Sequence, residues 1–369
     1  MIKFLIENDA GIYNINETPV IVSSRIRLAR NLSDAKFISS ASKDELQNVY
    51  QTVCNALKNT KKGKGAKIFA MSDLTESERL FLLECRLISK ELCENKNGVG
   101  GVFMSKNLDC VVMVNEEDHL RIQSIQQGLS LDKIWQKLDE FDSELEGKLS
   151  YAFSEKYGYL TGCPSNAGTG MRASVMLHLP ALEMSDLIEK IARGLAQLGI
   201  VIRGANGEGS ESLGSMYQLS NQRTIGLSEA EIIAKVTEMA KKVESFELDA
   251  RKKLLKDTPA VLFDKIGRAW GKLLYCELIN SAEALECLSA VRLGFAMGYF
   301  AKNKAKIVNF LMLGVQCAHL MCEAACYDMT SEERDIFRAL YIKEALGFIK
   351  DPVFKLDKSL LTKKRAKNA

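Results

Sequence analysis

Residues 19–27 read PVIVSSRIR, an apolar, β-branched start that runs into two serines and then Arg25 and Arg27, two positions apart. The opening predicts a strand over 19–23. Period-two spacing in extended chain points both arginines to one face. Outward from this stretch, short apolar runs recur at 67–71, 101–104, 109–115, 149–152, 173–179, 200–203 and 216–225. Between them, apolar residues fall at helical spacing over 43–56, 76–90, 131–145 and 185–198. Several connections are of hairpin length, which favours an antiparallel or mixed sheet over repeated strand–helix–strand units. The expected fold class for this part is α+β, a sheet flanked by helices.

The pattern changes at Ser228. Ser228 with Glu231 reads as a capping box that opens a charged helix to about residue 256. Helical patterns follow at 259–279, 282–300, 305–327 and 332–347, without strand-like alternation. Four helices joined by short loops suggest an antiparallel bundle. Residues 358–369 are basic and polar, and are expected to fray.

Composition narrows the class without naming an activity. The chain has 369 residues, 47% hydrophobic and 26% charged, as in ordinary globular proteins, and its length suits two domains. A net charge of +3, from 50 basic and 47 acidic residues, provides no global field for nucleic acid. No apolar run reaches the ~18 residues of a membrane span. The start, MIKFLIENDAGIYN, does not read as a signal peptide. Ten irregularly spaced cysteines without such a signal read as reduced thiols, so a cytoplasmic protein is expected.

Five segments carry chemistry: SSRIR (23–27), NEEDHLR (115–121), CPSNAGTGMRASV (163–175), RGANGEGSES (203–212) and ERDIFRA (333–339). Arg25, Arg27, Arg121, Arg172 and Arg203 each sit by a strand end, an acidic run or a glycine-rich turn. Guanidiniums that converge on one cleft repel each other unless a polyanion binds, and a nucleoside triphosphate is the obvious one. Arginine suits phosphate because its planar fork binds two oxygens and keeps its charge. Taken singly, each arginine reads more readily as a solvated surface residue. There is no Walker A lysine loop and no protein-kinase signature. Gly168-Thr169-Gly170 could offer backbone N–H groups to phosphate or simply form a turn. Candidate carboxylates lie in two places: the acidic run Asn115-Glu116-Glu117-Asp118 puts three close to Arg121, or is simply a solvated strand end, and Glu208 sits in the glycine-rich loop. An arginine side chain, with a pKa of ~12.5–13.8, attacks phosphorus only if a base removes a proton, while a second carboxylate holds the remaining N–H groups in line.

The ordered set SSRIR, NEEDHLR, CPSN-x-GTG-x-R, RGANGEGS closely resembles the ATP:guanido phosphotransferase family, which includes creatine and arginine kinases. The resemblance spans about residues 19–225 and implies an antiparallel sheet flanked by helices. It also implies ATP as phosphoryl donor, held by Arg25, Arg27, Arg121, Arg172 and Arg203 with the adjoining Ser23, Ser24, Ile26, Ala173, Ser174, Val175, Met176, Gly204, Ala205, Asn206 and Gly207. Glu117 is implied as base and Glu208 as its partner on the guanidinium. Cys163 would position the substrate and be sensitive to oxidation. Arg86 stands where relatives carry a nucleotide-contacting histidine. Magnesium is implied only through ATP, with no metal ligands from the protein.

Small-molecule kinases of the family carry a helical domain before the SSR motif, whereas here Ser23 comes early and the helical part follows. An open site would favour arginine on a protein surface, and the texture HLPALEMSDL…SNQRTIGLSE also resembles the bacterial protein-arginine kinases. A free-guanidine kinase and a silent phosphoarginine-binding adaptor are the alternatives. On the main reading, residues 1–245 form the catalytic domain, 246–357 a helical phosphoarginine-binding and dimerisation domain, and 358–369 a tail.

Thr330 with Glu333 makes a second capping box, and Arg334 and Arg338 lie i,i+4 on the helix it opens. Arg334 and Arg338 could hold phosphate, with Asp335 accepting from a guanidinium; a surface Asp335–Arg338 pair is the plain alternative. The resemblance implies a phosphoarginine-sensing allosteric site at Arg334, Asp335, Arg338 and Ala339. It further implies protein substrates, an activator protein of the McsA type, a heat-shock repressor, a Clp protease route in stress response, and a homodimer. Cys317, Cys322, Cys326 and His319 do not match zinc-ligand spacing on one helix and read as core residues.

Overall fold

The sequence IVSSRIRLAR forms a single strand, β1 (Ile21–Arg30), in which alternate residues serve two different faces. Ile26 and Leu28 are fully buried on one side, while Arg25 and Arg27 turn to the other. The chain is described by a computed structural model at Leu5 and at residues 19–94, 96, 98–205, 212–301 and 304–355. β1 lies inside an eight-stranded sheet with β2 (Lys67–Ala70), β3 (Gly101–Met104), β4 (Val111–Val114) and β5 (Leu120–Gln127). Beyond the two-residue strands β6 (Phe153–Ser154) and β7 (Gly158–Tyr159), the sheet is completed by β8 (Met171–His178), β9 (Ile200–Gly204) and β10 (Met216–Asn221). The order is β2-β3-β4-β5-β1-β8-β10-β9, and every pairing is antiparallel.

Helices α1 (Lys43–Lys58), α2 (Glu76–Glu84), α3 (Lys90–Glu94), α4 (Leu131–Glu146), α5 (Pro180–Met184), α6 (Ile188–Gln197) and α7 (Glu229–Asp257) surround the sheet. One sheet face packs Ile26, Leu28, Ile122, Val175 and Leu219 against Val53 of α1, Ile134 and Leu138 of α4, and Ile232 and Val236 of α7. Each such side chain contributes about 1.5–3 kcal/mol when fully buried. At the β2–β4 end, the other face is covered by Phe81 and Leu82 of α2 and Leu92 of α3. A separate core holds together α8 (Pro259–Tyr275), α9 (Ser281–Ala296), α10 (Ala305–Gly314) and α12 (Ser331–Leu346), whereas α11 (Cys317–Glu323) packs into the sheet-end core through Ala318 and Met321. The capping boxes at Ser228 and Thr330 are both present. No single helix among the described residues is long and apolar enough to cross a membrane.

Several element boundaries differ from the sequence expectation. β1 runs on to Arg30, so Arg25 and Arg27 lie within the strand and not after it. β5 was not expected, because Arg121, Gln123, Gln126 and Gln127 break its apolar run. The 149–152 run is no strand; only Tyr151 bridges Leu32. The helix expected over 76–90 stops at Glu84, where the chain turns through Arg86 at φ 58°. The helix expected over 305–327 is two, α10 and α11, bent by 101°. Periodicity missed this bend because apolar residues on both sides of it are buried. The carbonyl freed at Val315 accepts from Arg338 Nε at 2.7 Å, as cations at helix C-termini commonly do. The described bundle therefore has five helices and not four.

Candidate active site

Antiparallel registers bring the arginines together. Directly paired residues share a face, and Arg27 pairs with Arg172 across β1–β8 while Gln123 pairs with Arg27 across β1–β5. Arg121 lies opposite Ala29, Arg25 opposite Ser174, and Arg203 opposite Gln218. Arg25, Arg27, Arg121, Arg172 and Arg203 therefore rise from four strands onto the face away from the main core. Neutral groups steady some of them: Arg25 Nη2 donates to Gln218 Oε1 at 2.7 Å and Arg172 Nη2 to Ser220 Oγ at 3.2 Å. Arg121 Nη1 donates to Glu116 Oε1 at 2.5 Å.

The electrostatics suit an anion-binding face. Burial, and then Arg86, Arg121 and Arg172, push the Arg25 pKa down to about 9. Burial with Arg25, Arg121 and Arg172 holds Arg27 well below the ordinary value. Arg172 is lowered by burial, then Arg203 and Arg121. The Nε atoms of Arg27 and Arg172 are buried without a hydrogen-bond partner among the described residues. Buried donors and like charges are costly unless a ligand satisfies them.

The β4–β5 hairpin sorts the three carboxylates of the acidic run. Asn115 makes the turn at φ 55° and donates through Nδ2 to Leu46 O. Glu116 is buried; burial opposes its charge, but Arg121 outweighs this and its pKa falls. Asp118 accepts from Asn31 Nδ2 and Gly162 N, both at 2.6 Å. Glu117 alone projects as an exposed residue, and its carboxylate accepts no hydrogen bond from the described residues. Burial, with repulsion from Glu116 and Asp118, still raises its pKa, against Arg121. This suits a base beside a cationic face.

Gly162 seats the next loop against this tip: a Cβ there would lie 2.8 Å from Glu117 O. Cys163 follows at once, half-buried, with Sγ 3.0 Å from Ser165 Oγ. The glycines of Gly168-Thr169-Gly170 serve packing. A Cβ at either would come within 2.5 Å of Thr224 O or of Arg30 Nη1, and Thr169 N already donates to Thr224 O. The turn wraps Arg30, which pairs with Asp142 at 2.7 Å and lies 3.6 Å from the Tyr159 ring centre.

Arg86 enters the face from α2. A cleft of about 460 Å³ opens beside it, lined by Val22, Leu83, Met176 and Met216, and by Leu285 and Met312 of the helical region. That volume suits a small-molecule site. Ser23 also lines the cleft, and Ser174 Oγ donates to Arg25 O. Gly204 and Ala205 continue from Arg203 at the end of β9. Not every expected residue reaches this face. Ser24, Ile26, Ala173 and Val175 point to the opposite side by the alternation of their strands, and Ser24 Oγ donates to Gly128 O. Glu208, Asn206 and Gly207 lie outside the described residues. Gln123, Gln218 and Ser220 were missed, although each alternates with a buried apolar residue or its neighbour along a strand.

In the helical region, Arg334 Nη1 donates to Met329 O at 2.6 Å. Arg338 is not a surface residue: its guanidinium is buried on Val315 O, Ile279 O and Asp335. Ala339 is buried beside it.

Residues 48–250 match the ATP:guanido phosphotransferase C-terminal catalytic domain, and residues 259–357 match the protein-arginine kinase McsB C-terminal domain. The chain is 41% identical over 329 residues to the protein-arginine kinase of Geobacillus stearothermophilus, covering 89% of this chain and 90% of that protein. It is 42% identical over 333 residues to that of Halothermothrix orenii, covering 90% and 94%. Among solved structures it resembles lombricine kinase (TM-score 0.56, 24% identity, 63% of this chain and 68% of that one) in fold. It also resembles the duplicated taurocyamine kinase of Schistosoma mansoni (TM-score 0.55, 28% identity, 64% and 34%). An arginine face on an antiparallel sheet, an acidic hairpin tip and these matches together establish that the chain belongs to the ATP:guanido phosphotransferase family of kinases.

Proposed function

We propose that this chain transfers the γ-phosphoryl group of ATP to arginine side chains of proteins. The observation that carries the reading is the arginine face, whose mutually repelling guanidiniums and orphaned Nε atoms fit a triphosphate. The relatives named protein-arginine kinase, similar along nine-tenths of this chain, support the choice of acceptor. ATP supplies the reactive phosphoryl group, with Mg²⁺ accompanying its phosphates. Magnesium usually keeps waters and phosphate ligands, so the ion would be held mainly through the ATP phosphates.

In this reading Arg25, Arg27, Arg121, Arg172 and Arg203 hold phosphate oxygens and neutralise charge at the transferring phosphorus. The apolar cleft beside Arg86 receives the nucleoside. Glu117 takes a proton from the acceptor guanidinium as its nitrogen attacks phosphorus, and Glu208 orients the remaining N–H groups. Cys163 positions the acceptor from the loop seated on the Glu117 hairpin. Glu116 and Asp118 are tied to Arg121, Asn31 and Gly162, so they frame the base without replacing it.

Residues 1–245 act as the catalytic unit and 246–357 as a helical unit that binds phosphoarginine and dimerises. Arg334, Asp335, Arg338 and Ala339 form the responsive site, in which a phosphoryl group would compete with Asp335 for Arg338. Modified proteins are marked for regulation or for a Clp-type protease in the cytoplasm, with an activator of the McsA type and a heat-shock repressor as partners. The test is a paired assay with Mg-ATP on an unstructured arginine-bearing protein and on free arginine. Acid-labile phosphate on protein arginines supports the reading; transfer to free arginine alone overturns it.

A further inference from the structure

The segment that delivers Arg86 to the cleft is gripped from two sides. Helix α2 ends in a Schellman turn: Arg86 N donates to Leu83 O at 2.8 Å and Leu87 N to Leu82 O at 3.0 Å. Arg86 occupies the left-handed position normally given to glycine, at φ 58°. Such a conformation persists only where the surroundings over-determine it, and it is a pointer to function. From the sheet, Gln123 Nε2 donates to Arg86 O at 3.0 Å and to Leu87 O at 2.8 Å.

The second grip comes from the C-terminal helices. The Glu84 carboxylate, two residues before Arg86, accepts from Ala318 N at 2.8 Å and His319 N at 3.1 Å, at the start of α11. The same carboxylate lies 2.6 Å from His319 Nδ1, and His319 Nε2 lies 3.6 Å from Cys85 Sγ. The imidazole stacks on Phe81 one turn back along α2, with ring centres 4.2 Å apart. Glu84, Cys85 and Phe81 thus hold α11 at a point next to Arg86. Glu84 and Gln316 both line the cleft.

We propose that Glu84 is a positioning residue that, through His319 and the start of α11, sets Arg86 for the nucleotide and makes nucleotide affinity depend on where the C-terminal helices sit. This deepens the proposed function and rests on its placing of the nucleotide beside Arg86. The far end of the same lever is Val315, at the bend before α11, whose carbonyl is held by Arg338. A shift of Arg338 would thereby be felt at Arg86 through packed, hydrogen-bonded groups.

The test compares Glu84→Ala, Glu84→Gln, His319→Gln and Arg86→Ala in the full chain, with direct Mg-ATP binding and with KM for ATP and for a protein substrate. Glu84→Ala should weaken ATP binding about tenfold, a change on the order of 1.4 kcal/mol. KM for the protein substrate should stay constant, and Glu84→Gln should recover part of the loss because its amide oxygen still accepts one backbone N–H. In the double variant with Arg86→Ala, the two losses should not add, since both act on one contact. Additive losses, or unchanged ATP affinity in a folded Glu84 variant, would overturn the proposal. If Glu84→Ala folds poorly, His319→Gln decides the matter with the same readouts. If Arg86→Ala itself leaves ATP affinity untouched, the placing of the nucleotide fails, and the proposal with it.

Discussion

Arg27 and Arg172 stand directly opposite each other across the β1–β8 ladder, and the Nε of each is buried without a partner among the described residues. Like charges at such a pair oppose folding, so the ligand-free sheet carries a cost that a polyanion removes. Arg27→Met should therefore raise the melting temperature of the ligand-free protein, by about 1 kcal/mol or more of stability. The same variant should lose most of the thermal shift that Mg-ATP gives the unaltered chain. Calorimetry with and without nucleotide checks both outcomes.

Glu117→Gln should reduce kcat by about 10²–10⁴-fold, the usual worth of a general base, while ATP binding stays intact. Glu117 is raised above the ordinary carboxyl range by burial and its acidic neighbours. Activity that needs the ionised carboxylate is then lost on the acid side at a pH above ~4.3. The acid limb of the kcat profile should disappear from the residual activity of Glu117→Gln.

Arg30 and Asp142 form an ion pair with almost no solvent contact, 2.7 Å apart. Asp142→Ala leaves the guanidinium buried without its countercharge and should destabilise the chain by about 3–5 kcal/mol. A urea titration should show the midpoint falling.

His178 is wholly buried, with Nε2 2.8 Å from Ser289 Oγ. Burial, then Arg292 and Arg251, hold its pKa well below the ordinary value. The unfolded chain therefore takes up this proton first, near pH ~6.5. Its contribution to stability is full above that pH and is lost as pH falls toward the depressed folded value. Melting temperatures from pH 7.5 to 5 should decline, and His178→Gln should flatten that decline.

Arg334→Ala should abolish any change in rate caused by added free phosphoarginine, with the fold unaltered. Arg338→Ala should instead lower stability, because Val315 O and Ile279 O lose a buried donor at a cost of about 1–3 kcal/mol each. Rates with and without phosphoarginine, beside melting curves, separate the two effects.

The arginine face was legible in the sequence because motif residues such as Arg25, Arg27 and Arg172 carry both the charge and the spacing. Its geometry was not, since Arg27 meets Arg172 only through a register set by distant chain segments. β5 stayed hidden because Arg121 and Gln123 fall where an apolar run would have announced a strand. The sequence left Arg338 open between a phosphate ligand and a surface residue, and its burial stayed hidden because one helix turn cannot show that α10 ends against it. The grip of Glu84 on α11 joins residues more than 230 positions apart and has no local signature.

The strand Ile21–Arg30 also limits how such a protein can change. Its arginines and its core residues occupy alternate positions, so inserting or deleting one residue would exchange Arg25 and Arg27 for Ile26 and Leu28. Charge would enter the packed interior at the same stroke that removes it from the arginine face. This segment can therefore vary by substitution, but its length is fixed by both demands at once.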